Sequence, residues 1–169
     1  MGRWLVVAVV ASVVAATVST AASSTRRGAT AHTQRLCPVT LPNNVAPPGN
    51  GPKALGYRHG GLWVELWPYG VTLVGKHDVA TNGWLDVKVP WYRYGKGKLE
   101  ITATRLDKMA RRAHSDVPAG YGPTGFQASS VEFPSQGCWR VTGTAGGAGL
   151  SFVTIVLTTK WVRQAVPRG

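Results

Sequence analysis

From Gly61 onward, apolar and polar residues repeatedly alternate with a period of two, and this constrains the fold more than any other feature. In Leu62-Trp63-Val64-Glu65-Leu66-Trp67, the residues Leu62, Val64 and Leu66 fall on one face, with Trp63, Glu65 and Trp67 on the other. Leu85, Val87 and Val89 oppose Trp84, Asp86 and Lys88 in the same way, and Leu99, Ile101 and Ala103 oppose Glu100, Thr102 and Thr104. Val71 to Val74, Phe126 to Phe133, Cys138 to Gly143 and Leu150 to Trp161 are further strand candidates, and Cys37 to Leu41 is a short first one. Pro68-Tyr69-Gly70 marks a turn, and Pro42 to Lys53 is too rich in Pro, Gly and Asn for a regular element. The one helix candidate, Arg105 to Ala113, is a turn or two long. Twenty-one glycines and eleven prolines suit a turn-rich chain. Seven or eight short strands without a substantial helix predict an all-β sandwich or barrel.

The N-terminus predicts the compartment. Arg3 precedes an apolar run from Trp4 to Val18, followed by the small residues Ser19-Thr20-Ala21-Ala22. This is the layout of a secretory signal. Residues 1–22 read as the signal, 23–35 as a flexible leader made basic by Arg26, Arg27 and Arg35, and 36–169 as one domain. The apolar run is shorter than the roughly 20 residues that span a bilayer. No charge interrupts Trp4 to Thr25, so an uncleaved membrane anchor is the alternative. The expected location is outside the cytoplasm, secreted or held at the cell envelope. Cys37 and Cys138 are the only cysteines. In an oxidising compartment a lone, widely spaced pair reads as a structural disulfide rather than a redox centre.

The stretch Phe133-Pro134-Ser135-Gln136-Gly137-Cys138-Trp139-Arg140-Val141-Thr142 resembles a corner motif of bacterial immunoglobulin-like domains, Phe-Pro-x-x-Gly-x-Tyr-x-Val. The matching residues are Phe133, Pro134, Gly137 and Val141, with Trp139 in the aromatic place. Leu99 to Val156 as a whole is similar to uncharacterised secreted bacterial proteins that carry Gly-Tyr-Gly-x-Thr-Gly-Phe, here Gly120 to Phe126, before that corner. The resemblance implies an immunoglobulin-like β-sandwich of seven or eight strands in an extracytoplasmic setting, with Leu150 to Leu157 closing a hairpin. It implies no reaction. Antibody domains differ, because no Cys-Trp-Cys spacing with a central Trp is recognisable.

No catalytic motif survives inspection. Gly70 to His77 nearly matches a phosphate-binding loop, but His77 replaces the magnesium-binding Ser or Thr and the interior is β-branched. His32, His59, His77 and His114 are not spaced as metal ligands. Asp78 and Asp86 flank a turn around Asn82-Gly83 and read as turn residues rather than a glycosidase dyad. No catalytic residue, metal or cofactor is expected. A small hydrolase using His77 or His114 is the enzymatic alternative.

Composition supplies the functional lead. Without Arg3 the chain keeps 18 of its 19 Lys and Arg against 7 Asp and Glu, an excess that favours polyanionic partners. Trp63, Trp67, Tyr69, Trp84, Trp91, Tyr92 and Tyr94 crowd together beside Arg93, Lys96 and Lys98. Flat aromatic faces next to cations stack on sugar rings and headgroups. Because Trp63, Trp67 and Trp84 share faces with charges, they are expected at the surface or packed at an edge, with Trp139 in the core. Arg111 and Arg112, in the long connection Asp107 to Thr124, form a second candidate surface. The expected function is a non-catalytic module contacting an anionic envelope polymer, a carbohydrate or a membrane surface. A protein-interaction or inhibitor domain is the other alternative, and no specific nucleic acid is expected.

Overall fold

A computed structural model describes residues 36–47 and 55–160, all within the compact unit Gln34–Gly169. The signal and leader, His32 and Trp161 lie outside the described residues. Among the described residues eleven strands follow in order: β1 (Gly56–His59), β2 (Leu62–Glu65), β3 (Val71–Val74), β4 (Leu85–Lys88), β5 (Trp91–Arg93), β6 (Glu100–Arg105), β7 (His114–Asp116), β8 (Gly125–Gln127), β9 (Ser130–Phe133), β10 (Gly137–Ala145) and β11 (Ala148–Thr158). The domain is all-β, and among the described residues no helix is long and apolar enough to cross a membrane.

The strands form three sheets, ordered β1-β2-β5-β8, β3-β11-β10-β6 and β4-β9-β7. Every pairing is antiparallel except β3 with β11. The first and third sheets meet along two bent strands. Pro90, which has no N–H to give a ladder, separates β4 from β5. Opposite it, Ala128-Ser129 separates β8 from β9, and Val89 N donates to Ser129 O at 2.9 Å while Ser129 Oγ returns a bond to Val89 O at 2.8 Å. The predicted single strand Phe126 to Phe133 is therefore two, one in each sheet.

The alternating faces predicted for Leu62/Val64/Leu66, Leu85/Val87/Val89 and Leu99/Ile101/Ala103 are all buried. They share one core with Val131, Phe133, Trp139, Val141 and Phe152. Trp91 of the first sheet packs on Phe152 of the second at 6.1 Å, and Phe133 of the third on Trp139 of the second at 5.2 Å. Gly143 lets the Trp91 indole lie against β10, since a Cβ there would sit 2.5 Å from the ring. Pro134 to Gln136 carries the chain from β9 into β10, which forms the longest antiparallel hairpin with β11.

A disulfide joins Cys37 to Cys138 of β10, with Cα atoms 5.6 Å apart. Two expectations fail in its neighbourhood. Cys37 to Leu41 is not a strand: Thr40 N donates to Val153 O, but the Val153 N–H goes to the Thr40 hydroxyl rather than to a backbone carbonyl, so no ladder propagates. Arg105 to Ala113 is not a helix either. Leu106 N extends the β6 ladder to Cys138 O, and the Arg105 side chain is drawn to Asp107 and Ser135.

Candidate functional site

The aromatic residues that cluster in the sequence do not share one surface. Trp63, expected at the surface beside Glu65, is 3 % exposed, and its Nε1 donates to Val45 O at 2.5 Å. The segment ending near Val45 covers the outer face of β2, and a Cβ at Gly56 would collide with both Val45 and the Trp63 indole. Trp91 is wholly buried and belongs to the core, and Arg93, two residues on along β5, is 5 % exposed. Trp91 does not offer the free surface that the sequence suggests. Trp67 is half-buried against Phe152 at 6.3 Å, and Tyr94 is half-buried with the Arg58 guanidinium 4.2 Å over its ring. Tyr69 projects alone from its turn, where its backbone takes a positive φ of 58°. Tyr92, whose neighbours Trp91 and Arg93 point inward, is half-buried beside an exposed aromatic group.

That group borders a groove built by two loops. The connection between β5 and β6 and the longer one between β7 and β8 enclose about 550 Å³, lined by Arg93, Gly97, Lys98, Leu99, Val117–Pro123 and Gln127. Arg93 fastens both loops: Nη1 donates to Gly97 O at 2.6 Å and Nη2 to Gly122 O at 2.5 Å. Buried Gln127 holds the longer loop from its other side, donating to Pro118 O at 3.1 Å. Gly97, at φ 140°, lets the β5–β6 connection approach the backbone of Gly146 in the β10–β11 turn, where a Cβ would collide. Phe126, on edge strand β8, packs edge-on against Tyr121 at 5.9 Å and Tyr92 at 6.3 Å. Tyr121 is 40 % exposed and Phe126 47 %, so an aromatic ledge stands beside a groove carrying Arg93 and Lys98. All seven Asp and Glu of the chain are among the described residues, and none lines the groove or pairs with Arg93.

The other candidate surface lies at the opposite end of β10. The β6–β10 register runs from Arg105 opposite Trp139 to Glu100 opposite Thr144, so the Arg105 end and the Gly97 end are separated by the length of the hairpin. There Trp84, Lys108, Met109 and Arg111 border a shallow hollow of about 400 Å³, with Met109 fully exposed and Arg111 and Arg112 both solvated. Cys37, where the leader joins the domain, is tied to this same end.

Arg105 is occupied structurally. Its Nε and Nη2 reach the two Asp107 carboxylate oxygens at 2.6 and 3.1 Å, Nη1 bonds Ser135 Oγ, and the guanidinium lies 5.8 Å over Trp139. The hydrogen bonds from Arg105 hold the Asp107 carboxyl below its ordinary value. A depressed folded-state value means that this contribution to stability is present above the ordinary carboxyl range, near about 3.9, and is lost as pH falls through the lower folded value. With the Asp107 side chain 36 % exposed, solvent limits it to about 1 kcal/mol or less. Denaturant melts of Asp107→Asn should show this small loss at neutral pH, shrinking towards zero below the folded value.

His59, His77 and His114 are all exposed. His114 Nδ1 lies 3.8 Å from Glu132 Oε2, with both side chains partly solvated. Among the described residues no group of three His, Cys, Asp or Glu side chains is placed to hold a metal ion.

Tyr121, Phe126 and Gln127 carry no site motif in the sequence. The signal that could have found two of them is the Gly120 to Phe126 stretch, which contains Tyr121 and ends on Phe126. No family model, curated protein or solved structure matches the chain.

Proposed function

We propose that this chain is an exported, non-catalytic binding module of the cell envelope, which holds an anionic carbohydrate or wall polymer at the groove beside Tyr121 and Phe126. The observation that carries the reading is the joining of an exposed aromatic ledge to a groove that contains Arg93 and Lys98 and no acid. Aromatic faces stack on sugar rings, while the cations attract and orient the charged groups along a polymer. The chain's excess of basic residues draws such a polymer in. Export is supported by the signal-like N-terminus and by the disulfide, which suits an oxidising extracytoplasmic environment.

The fold is read here as an immunoglobulin-like sandwich. Supporting this, the bent pairs β4/β5 and β8/β9 act as one ladder between β2 and β7, which parallels the A-B-E-D sheet of such domains. The order β6-β10-β11 parallels the C-F-G sheet, with β3 added alongside. In that arrangement the groove occupies one loop end and the leader joins at the other.

The reading is tested by measuring binding of the oxidised protein to an acidic polysaccharide, a phosphate-bearing wall polymer and a neutral glucan across a salt series. Binding to at least one anionic polymer, weakening steeply with salt and much tighter than to the neutral glucan, is the expected result. Equal affinity for the neutral glucan, or no binding to any of them, contradicts it.

A further inference from the structure

We infer that Arg93 is the seat of a single acidic group of the ligand, a carboxylate or a phosphate, bound in the groove between the Gly97 and Gly122 loops. The inference deepens the binding reading above and rests on it for the identity of the polymer. Its basis is a buried cation that no Asp or Glu pairs with among the described residues. Arg93 is about nine-tenths or more buried, at 5 % exposure, and lines the groove. Taking a guanidinium out of water is costly unless an opposite charge accompanies it. All the carboxylate side chains of the chain are among the described residues: Asp86 pairs with Lys88 and Asp107 with Arg105, Glu132 lies beside His114, and none pairs with Arg93.

The hydrogen bonding leaves capacity for a ligand. Of the five N–H groups on an arginine, one on Nη1 and one on Nη2 serve the Gly97 and Gly122 carbonyls, which leaves the second N–H of each for a ligand, while Nε is buried without a partner among the described residues. Those two bonds fix the guanidinium plane without neutralising it. A planar fork held in this way suits the oxygens of a carboxylate or phosphate. Lys98, on the same lining, adds a second, solvated cation at the rim. Tyr121 is also on the lining, so a sugar carrying the acidic group would reach Arg93 with its ring beside the aromatic ledge.

Arg93→Ala is a poor first test, because Arg93 also fastens both loops. The direct measurement uses the intact oxidised protein and follows the Arg93 Nε–H and Gly122 amide resonances by NMR at constant ionic strength. The probes are sodium glucuronate, inorganic phosphate and, as the uncharged control, glucose. Saturable shifts of both resonances with glucuronate or phosphate, and none with glucose, are expected, and the probe that acts identifies carboxylate or phosphate as the source. Lys98→Glu, at an exposed position that leaves the core untouched, should weaken the effective probe about tenfold by placing a like charge on the lining. Absence of saturable shifts with both anions, or shifts of equal size with glucose, would overturn the assignment. Polymer binding that persists without anion shifts at Arg93 would overturn the seat and leave the module reading standing. Anion shifts without polymer binding would uphold the seat and remove the polymer.

Discussion

Trp91→Ala is expected to destabilise the domain by about 3–5 kcal/mol, a large part of the roughly 5–15 kcal/mol that holds a domain of this kind together. The indole is fully buried, packs on Phe152 and fills the space that Gly143 leaves on β10. Truncation removes the bridge between two sheets and leaves a cavity that the flanking strands can close only partly. A thermal melt should move down by roughly 10–20 °C. Trp91→Phe keeps a ring between Phe152 and β10 and discards an indole N–H that has no partner among the described residues, so its cost should be clearly smaller. If Trp91→Ala left the melt unchanged, the placement of Trp91 in the core would be wrong. Because Trp91→Ala is expected to unsettle the fold itself, loss of binding in this variant would not mark Trp91 as a contact residue.

Opening the disulfide should have an effect of similar size. Cys37 and Cys138 are 101 residues apart, and closing so long a loop restricts the unfolded chain by roughly 4–5 kcal/mol in the chain-entropy account. The link also fixes the start of a segment that forms no strand and is held further on by hydrogen bonds between Thr40 and Val153 and from Asn43 and Asn44 to Gly56. The paired variant Cys37→Ser/Cys138→Ser, compared with the oxidised protein in denaturant, should lose about 2–5 kcal/mol. A variant as stable as the parent would mean that the segment is held by packing alone.

Local pattern was enough to read most of the core, and it failed where burial depends on residues distant in sequence. Leu62, Leu85 and Ile101 announce their faces because each lies in a strand with one face towards the core. Trp63 does not: its face is closed by a segment 18 residues earlier, which no alternation within β2 can reveal. β5 escapes notice because Pro90 cuts it to three residues, and β7 because none of its three residues is buried. The groove is hidden for a related reason. Arg93 meets the Gly122 carbonyl across 29 residues, so a basic residue amid aromatics looks like surface until the longer loop is folded over it. The Tyr121–Phe126–Tyr92 ledge likewise joins two strands that pair only in the folded sheet.

The placement of the binding surface at the groove end is tested most directly by comparing two variants in the polymer-binding measurement. Tyr121→Ala/Phe126→Ala alters exposed rings at the groove, and Arg111→Glu/Arg112→Glu reverses exposed charge at the opposite end. The account predicts that the first loses about tenfold or more in affinity, equivalent to about 1.4 kcal/mol or more, with an unchanged melt. The second should keep affinity within about threefold, through the weaker long-range effect of net charge. Full affinity in the aromatic variant together with loss in the arginine variant would contradict the account and move the binding surface to the end where the leader joins.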